Sequence, residues 1–167
     1  KVKSPFRAAT GTDLTKSGDK LLIICDAPHG ILSQFPSMQL DIVDRVTRIL
    51  ETRGVNVISS DEIATWYDDH GEWGDYSQLA KSFDADYIMH IDIRKFTYRV
   101  PDSPNLLQGI SEGRITVSKA GGKSTKTVRE MFDRNYQLTY PTGYPAPREN
   151  RSEQIFLEGF MDRLALQ

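Results

Sequence analysis

The residue types that could do chemistry are few and scattered. Cys25 stands beside Asp26 and four residues before His29, a grouping that offers a thiol nucleophile and an imidazole base. Cys25 also closes the most apolar run of the chain, Leu-Leu-Ile-Ile-Cys, where a free thiol is far more often a small hydrophobe. His90 and Asp92 alternate, so on a strand their Cβ atoms stand about 7 Å apart on one face. That spacing permits a relay, although a satisfied half-buried pair is its commoner meaning. Asp68, Asp69, His70 and Glu72 are metal-ligand types. They match neither an Asp-x-Asn-x-Asp-Gly calcium loop nor a His-Glu-x-x-His helix, and read as a solvated acidic loop. Gly121-Gly122-Lys123-Ser124 lacks the spacing and the following helix of a phosphate loop, and reads as a hairpin turn. No metal and no cofactor is expected.

Composition sets the frame for these residues. With 167 residues, 38% of them hydrophobic, the chain is long enough for one domain with a core. Its 21 Lys and Arg nearly balance 23 Asp and Glu, which argues against a nucleic-acid partner. The longest apolar run, residues 21–25, is too short to span a bilayer. A single cysteine excludes an internal disulfide. The first methionine is Met38, inside the first long helix, so a longer natural N-terminus is expected, the missing piece being a signal peptide, an anchor, another domain or only a few residues. Residues 1–19 have little apolar periodicity and read as a flexible N-terminal tether; residues 20–167 read as a single α/β domain.

The elements that must position the candidates follow from periodicity. Residues 20–26 form a continuous apolar strand, suited to a sheet covered on both faces. Ser37 caps a helix with Met38, Ile42, Val46, Ile49 and Leu50 on its apolar side, and Asp41/Arg45 and Asp44/Arg48 pair on the wet side. Gly54 stops it, and 55–58 is a second strand, completing a β-α-β unit. Two helices follow, one carrying Ile63, Trp66 and Tyr67, the next opened by an Asp75/Gln78 capping box. Strands over 87–100, 111–119 and 128–140 form an antiparallel meander. An Asn150/Glu153 capping box starts a last helix with Ile155, Phe156, Phe160, Met161 and Leu164 toward the core. The fold class is α/β: a single mixed sheet in the order β-α-β-α-α-β-β-β-α, with a parallel first half and helices packed on the sheet.

Charge is unevenly laid out. Residues 61–86 hold eight acids and one base, whereas 114–134 hold six bases and two acids. An acidic helical middle thus faces a basic hairpin, although charges on an edge strand also serve simply to prevent pairing with other chains. Trp66 and Tyr76 fall on apolar helix faces. Tyr67 and Trp73 are left as exposed aromatics of the kind that anchor interfaces.

Asp84-Ala85-Asp86-Tyr87-Ile88-Met89 leading into the long third strand, within this order of elements, resembles a group of bacterial envelope proteins. These are the N-terminal domain of the TolB translocation protein, the curli-secretion lipoprotein CsgG, and the LpoB-type lipoprotein activators of peptidoglycan synthases. The glycine usual soon after that lead-in is His90 here. The resemblance implies a non-enzymatic lipoprotein domain, periplasmic or anchored to the outer membrane, that works by protein–protein contact. Its partner would be an envelope protein, and it would meet the membrane only through a removed N-terminal anchor. Tyr67, Trp73, Lys123, Lys126 and Arg129 are the partner-binding residues expected from aromatic content and charge. The alternative is a cytoplasmic small hydrolase or ligand-binding protein. Its site would lie at the carboxyl ends of strands one and two, at Asp26, His29, Ser60 and Asp61. Oligomeric state is not legible in the residues.

Overall fold

The structure, a computed structural model, describes residues 5–122, 127–148 and 153–166. Helices α1 (Pro5–Thr10) and α2 (Leu14–Ser17) precede β1 (Lys20–Asp26), and α3 (His29–Leu32) and α4 (Met38–Thr52) lead to β2 (Asn56–Val57). After α5 (Ser60–His70) and α6 (Tyr76–Phe83) come the long strands β3 (Tyr87–Arg99), β4 (Leu106–Gly121) and β5 (Thr127–Tyr140). Short β6 (Ala146–Pro147) and α7 (Glu153–Ala165) close the described chain.

Leu21 through Ile24 and Cys25 are at most 1% exposed, as a strand apolar on both faces requires. β1 accordingly lies inside the sheet, parallel to β2 on one side and to β3 on the other. The order is β2-β1-β3-β4-β5, with β3, β4 and β5 antiparallel and β6 added against the start of β4. This is the mixed α/β sheet expected from the sequence. Met89, Ile91, Ile115 and Val117 face α4, while His90, one residue out of step, meets Tyr76 of α6 on the opposite face. A bulge at Arg94 shifts that alternation by one residue, so Ile91, Ile93 and Phe96 all turn inward, at 6%, 0% and 5% exposure.

Residues 5–17, part of the stretch read as a tether, hold α1 and α2. Phe6 meets the Tyr87 ring edge-on at 5.1 Å, the Tyr87 hydroxyl donates to Thr12 Oγ1 at 3.0 Å, and Leu14 is buried. Two lone apolar residues eight apart hold this stretch to the sheet, too few to produce a visible period. Helix α4 is rotated from its expected face: Val43 and Thr47 are buried with Met38 and Ile42, whereas Val46, Ile49 and Leu50 are only half-buried. Asp44 pairs with Arg48 at 2.8 Å, but Arg45 reaches across to α7, to Glu158 at 2.5 Å and to Asp162. Ile155 does not join the core; it is 62% exposed, because the buried stripe of α7 runs through Phe156, Phe160 and Leu164, four residues apart. The Asn150 half of the expected capping box lies outside the described residues.

Candidate functional site

Asp26 ends β1, His90 lies in β3 and Tyr76 opens α6, and the parallel register brings the three together. His90 Nε2 stands 2.7 Å from Asp26 Oδ2, and His90 Nδ1 stands 2.6 Å from the Tyr76 hydroxyl. A neutral imidazole satisfies both contacts in one tautomer: Nε2–H donates to the carboxylate, and Nδ1 accepts from the phenol. Burial, with the Asp26 carboxylate adding to it, raises the Tyr76 pKa and keeps its proton on oxygen. Trp73 covers the group, stacked on Tyr76 at 5.4 Å and edge-on to His90 at 5.3 Å. The His90–Asp92 pair that the alternation permits does not form: His90 meets Asp26 instead, and Asp92 turns to Arg94 at 3.2 Å. Strand register across β1 and β3 decided this, and no local spacing encodes it.

The arrangement offers a proton path without a nucleophile. The Cys25 thiol is 1% exposed, and burial, with Asp26 and Asp92 nearby, pushes its pKa far up, so it stays protonated. His29 is exposed at the start of α3, Ser60 donates to Asp44 Oδ1 at 3.3 Å, and Asp61 is exposed in the first turn of α5. Among the described residues no hydrogen bond or ion pair joins Asp26, His29, Ser60 and Asp61 to one another. No three His, Cys, Asp or Glu side chains among them gather as for a metal ion. His70 stacks on Trp66 at 4.5 Å, with Nδ1 on the Trp66 carbonyl.

Tyr67 and Trp73, expected as exposed aromatics, are half-buried and packed against the core. The acidic middle is largely used by the fold itself. Asp61 and Glu62 occupy the first turn of α5, Asp75 caps α6, and Asp86 accepts from the Lys20 amide at 2.9 Å. Arg129 is exposed on β5 and directs its guanidinium at Met131 Sδ; Lys123 and Lys126 lie outside the described residues.

Two of the concavities among the described residues stand out, one along β3 and one beside α4. β1 ends at Asp26, opposite Asp92, so residues 93–99 of β3 keep β4 on one side and have no strand on the other among the described residues. A groove of about 760 Å³ follows that side, walled opposite by Pro28, Gly30, Ile31, Gln34 and Phe35. Six consecutive residues, Arg94 through Arg99, line it, and residues from both faces of a strand can line one groove only if it runs along the strand's edge. Phe35 packs edge-on across it, 4.9 Å from the Phe96 ring and 5.8 Å from Tyr98. Arg94, Lys95 and Arg99 line it and no carboxylate does, although Arg94 pairs with Asp92 at 3.2 Å and Arg99 with Glu153 at 3.6 Å just outside it. The second is an apolar cleft of about 280 Å³ between α4, the sheet and the end of α7. Sequence reasoning found neither, because both are made by where other elements stop.

No protein-family model and no curated protein matches this sequence. Solved structures do match in fold. The lipoprotein GNA1162 from Neisseria meningitidis aligns over 89% of this chain and 99% of its own, with TM-score 0.50 and 8% identity. A PelC dodecamer from Paraburkholderia phytofirmans aligns over 92% of this chain and 87% of its own, with TM-score 0.54 and 10% identity. The LpoB C-terminal domain from Salmonella enterica aligns over 81% and 90%, with TM-score 0.43 and 10% identity. The chain has the α/β architecture of the first two, and the envelope-lipoprotein resemblance read from the sequence holds at the level of fold. Among the described residues no helix is long and apolar enough to cross a membrane.

Proposed function

We propose that this chain is a non-enzymatic domain of the bacterial envelope, held on the periplasmic side by a lipidated N-terminus, that binds an extended segment of a protein partner along the edge of β3. The observation that carries the reading is the basic groove beside residues 94–99. An unpaired strand edge is a template for a further strand: main-chain hydrogen bonds give affinity, and the flanking side chains select the sequence. Lys95, with Arg94 and Arg99 able to exchange their Asp92 and Glu153 partners for an incoming carboxylate, favours an acidic segment. The fold shared with lipoprotein GNA1162 supports the envelope assignment. The buried thiol and the Trp73-covered relay favour binding over catalysis.

Calorimetry with three capped ten-residue peptides tests it. One alternates Glu with Val, one alternates Lys with Val, and the third is the acidic peptide N-methylated at alternate amides. Saturable 1:1 binding of the first, with about tenfold weaker binding of the other two, is expected. Equal binding of all three, or none, contradicts the proposal.

A further inference from the structure

Tyr87, the first residue of β3, holds the N-terminal stretch at two separate points. Its ring takes Phe6 of α1 edge-on at 5.1 Å, and its hydroxyl donates to Thr12 Oγ1, between α1 and α2, at 3.0 Å. Phe6 also meets Phe132 of β5 at 6.4 Å, and Leu14 of α2 is buried. Around these points residues 7–9, 11 and 15–17 are exposed. Helices of six and four residues are too short to persist on their own, so α1 and α2 last only while docked. They are also tied to each other. Arg7 pairs with Asp13 at 3.6 Å, and the Asp13 carboxylate caps α2 through the Thr15 amide. The Gly11 amide closes on the Arg7 carbonyl, and the Lys16 and Ser17 amides close on that of Asp13. The ties to Tyr87 and Phe132, by contrast, run through side chains, whereas β1 is joined to β3 by its backbone from Leu21 to Asp26.

We infer that residues 5–17 form a strap that leaves the sheet as one unit while the sheet stays folded, with Tyr87 as its latch. Docked, the strap fixes the N-terminal stretch at the start of β3, the opposite end of that strand from the groove at residues 94–99. Released, it uncovers the Tyr87 and Phe132 rings, and residues 5–19 add up to about 50 Å of extended chain ahead of β1. That gain in reach matters through the N-terminal anchoring proposed above, on which this consequence rests; the release itself does not depend on it.

Limited trypsin digestion of the full chain, read by mass spectrometry, tests this, because Arg7 lies in α1 and Lys16 in α2. Both bonds are expected to be cut while amide exchange shows β1 and β3 still protected. Tyr87→Phe keeps the ring but removes the Thr12 bond, and should speed cleavage at both sites by the same factor, about fivefold. Thr12→Val breaks the same bond from the other side and serves if Tyr87→Phe does not fold. Phe6→Ala, in α1, should speed cleavage at Lys16 about tenfold, and Leu14→Ala, in α2, should do the same at Arg7. Faster cleavage only at the site nearest each substitution, which is fraying, would overturn the inference. So would resistance at both sites until β1 and β3 lose their protection, which would make the stretch part of the sheet's own folding unit. The acidic-peptide titration is independent of either result, so the two proposals fail separately.

Discussion

The Tyr76 hydroxyl lies 2.6 Å from Nδ1 of His90, and through that ring α6 is joined to the end of β1. One histidine of β3 thus links α6 to the end of β1 through side-chain contacts. His90→Leu keeps the bulk but leaves the Tyr76 hydroxyl and the Asp26 carboxylate without this partner. A loss of about 2 kcal/mol in urea unfolding is expected. Asp26 remains a third exposed and can recover water, so Asp26→Asn should cost less, about 1 kcal/mol. Trp73 fluorescence should shift in His90→Leu, because its edge contact is with that ring.

Alkaline pH should weaken the fold through Tyr136. Its hydroxyl is paired with fully buried Ser111 at 3.0 Å, and burial pushes its pKa from 10.0 up to about 12. The unfolded chain gives up this proton first as pH rises. The stabilisation is complete below pH 10 and is lost as pH climbs through the folded value, on the order of 2 kcal/mol. Tyr136→Phe should flatten the stability profile between pH 10 and 12. At pH 7 it should cost about 1 kcal/mol, from the stranded Ser111 hydroxyl.

Gly113 should tolerate no side chain. A Cβ there would meet the Asp92 carbonyl and the Tyr136 ring, 2.7 Å from Cε1, both fixed by strand pairing. Gly113→Ala is expected to destabilise by about 3 kcal/mol or to prevent folding, read as soluble yield and thermal midpoint.

The hairpin bases should be separable from the groove. Replacing Lys123, Lys126 and Arg129 with Gln should leave the thermal midpoint within about a degree and the binding of the acidic peptide unchanged, since the β4–β5 pairing at Gly121 and Thr127 lies at the far end of β4 from its pairing with residues 95–99. Lost peptide binding would move the contact surface to the hairpin.

The sheet was readable because its signals are local: the unbroken apolar run at residues 21–25, the alternation along β5 and the Asp75 cap each depend on neighbours in the chain. Asp26 with His90 was not readable, since a one-residue change in β1–β3 register would pair His90 elsewhere. The Arg94 bulge likewise reverses the inward face of β3 midway, and nothing in Ile91-Asp92-Ile93-Arg94-Lys95-Phe96 announces it. Tyr67 and Trp73 were left as exposed aromatics once Trp66 and Tyr76 had been given to the core; an edge contact of Tyr67 with Trp66 and the stacking of Trp73 on Tyr76 draw them in. The basic groove exists only because β1 stops at Asp26 while β3 continues to Arg99.

Amide hydrogen exchange along β3, with and without the Glu-Val peptide, tests the central claim most directly. The account predicts new protection at the amides of residues 93–99 that do not pair with β4, with β5 unchanged. Protection confined to β5 or to the Tyr67–Trp73 side, or unchanged exchange at saturating peptide, would contradict it.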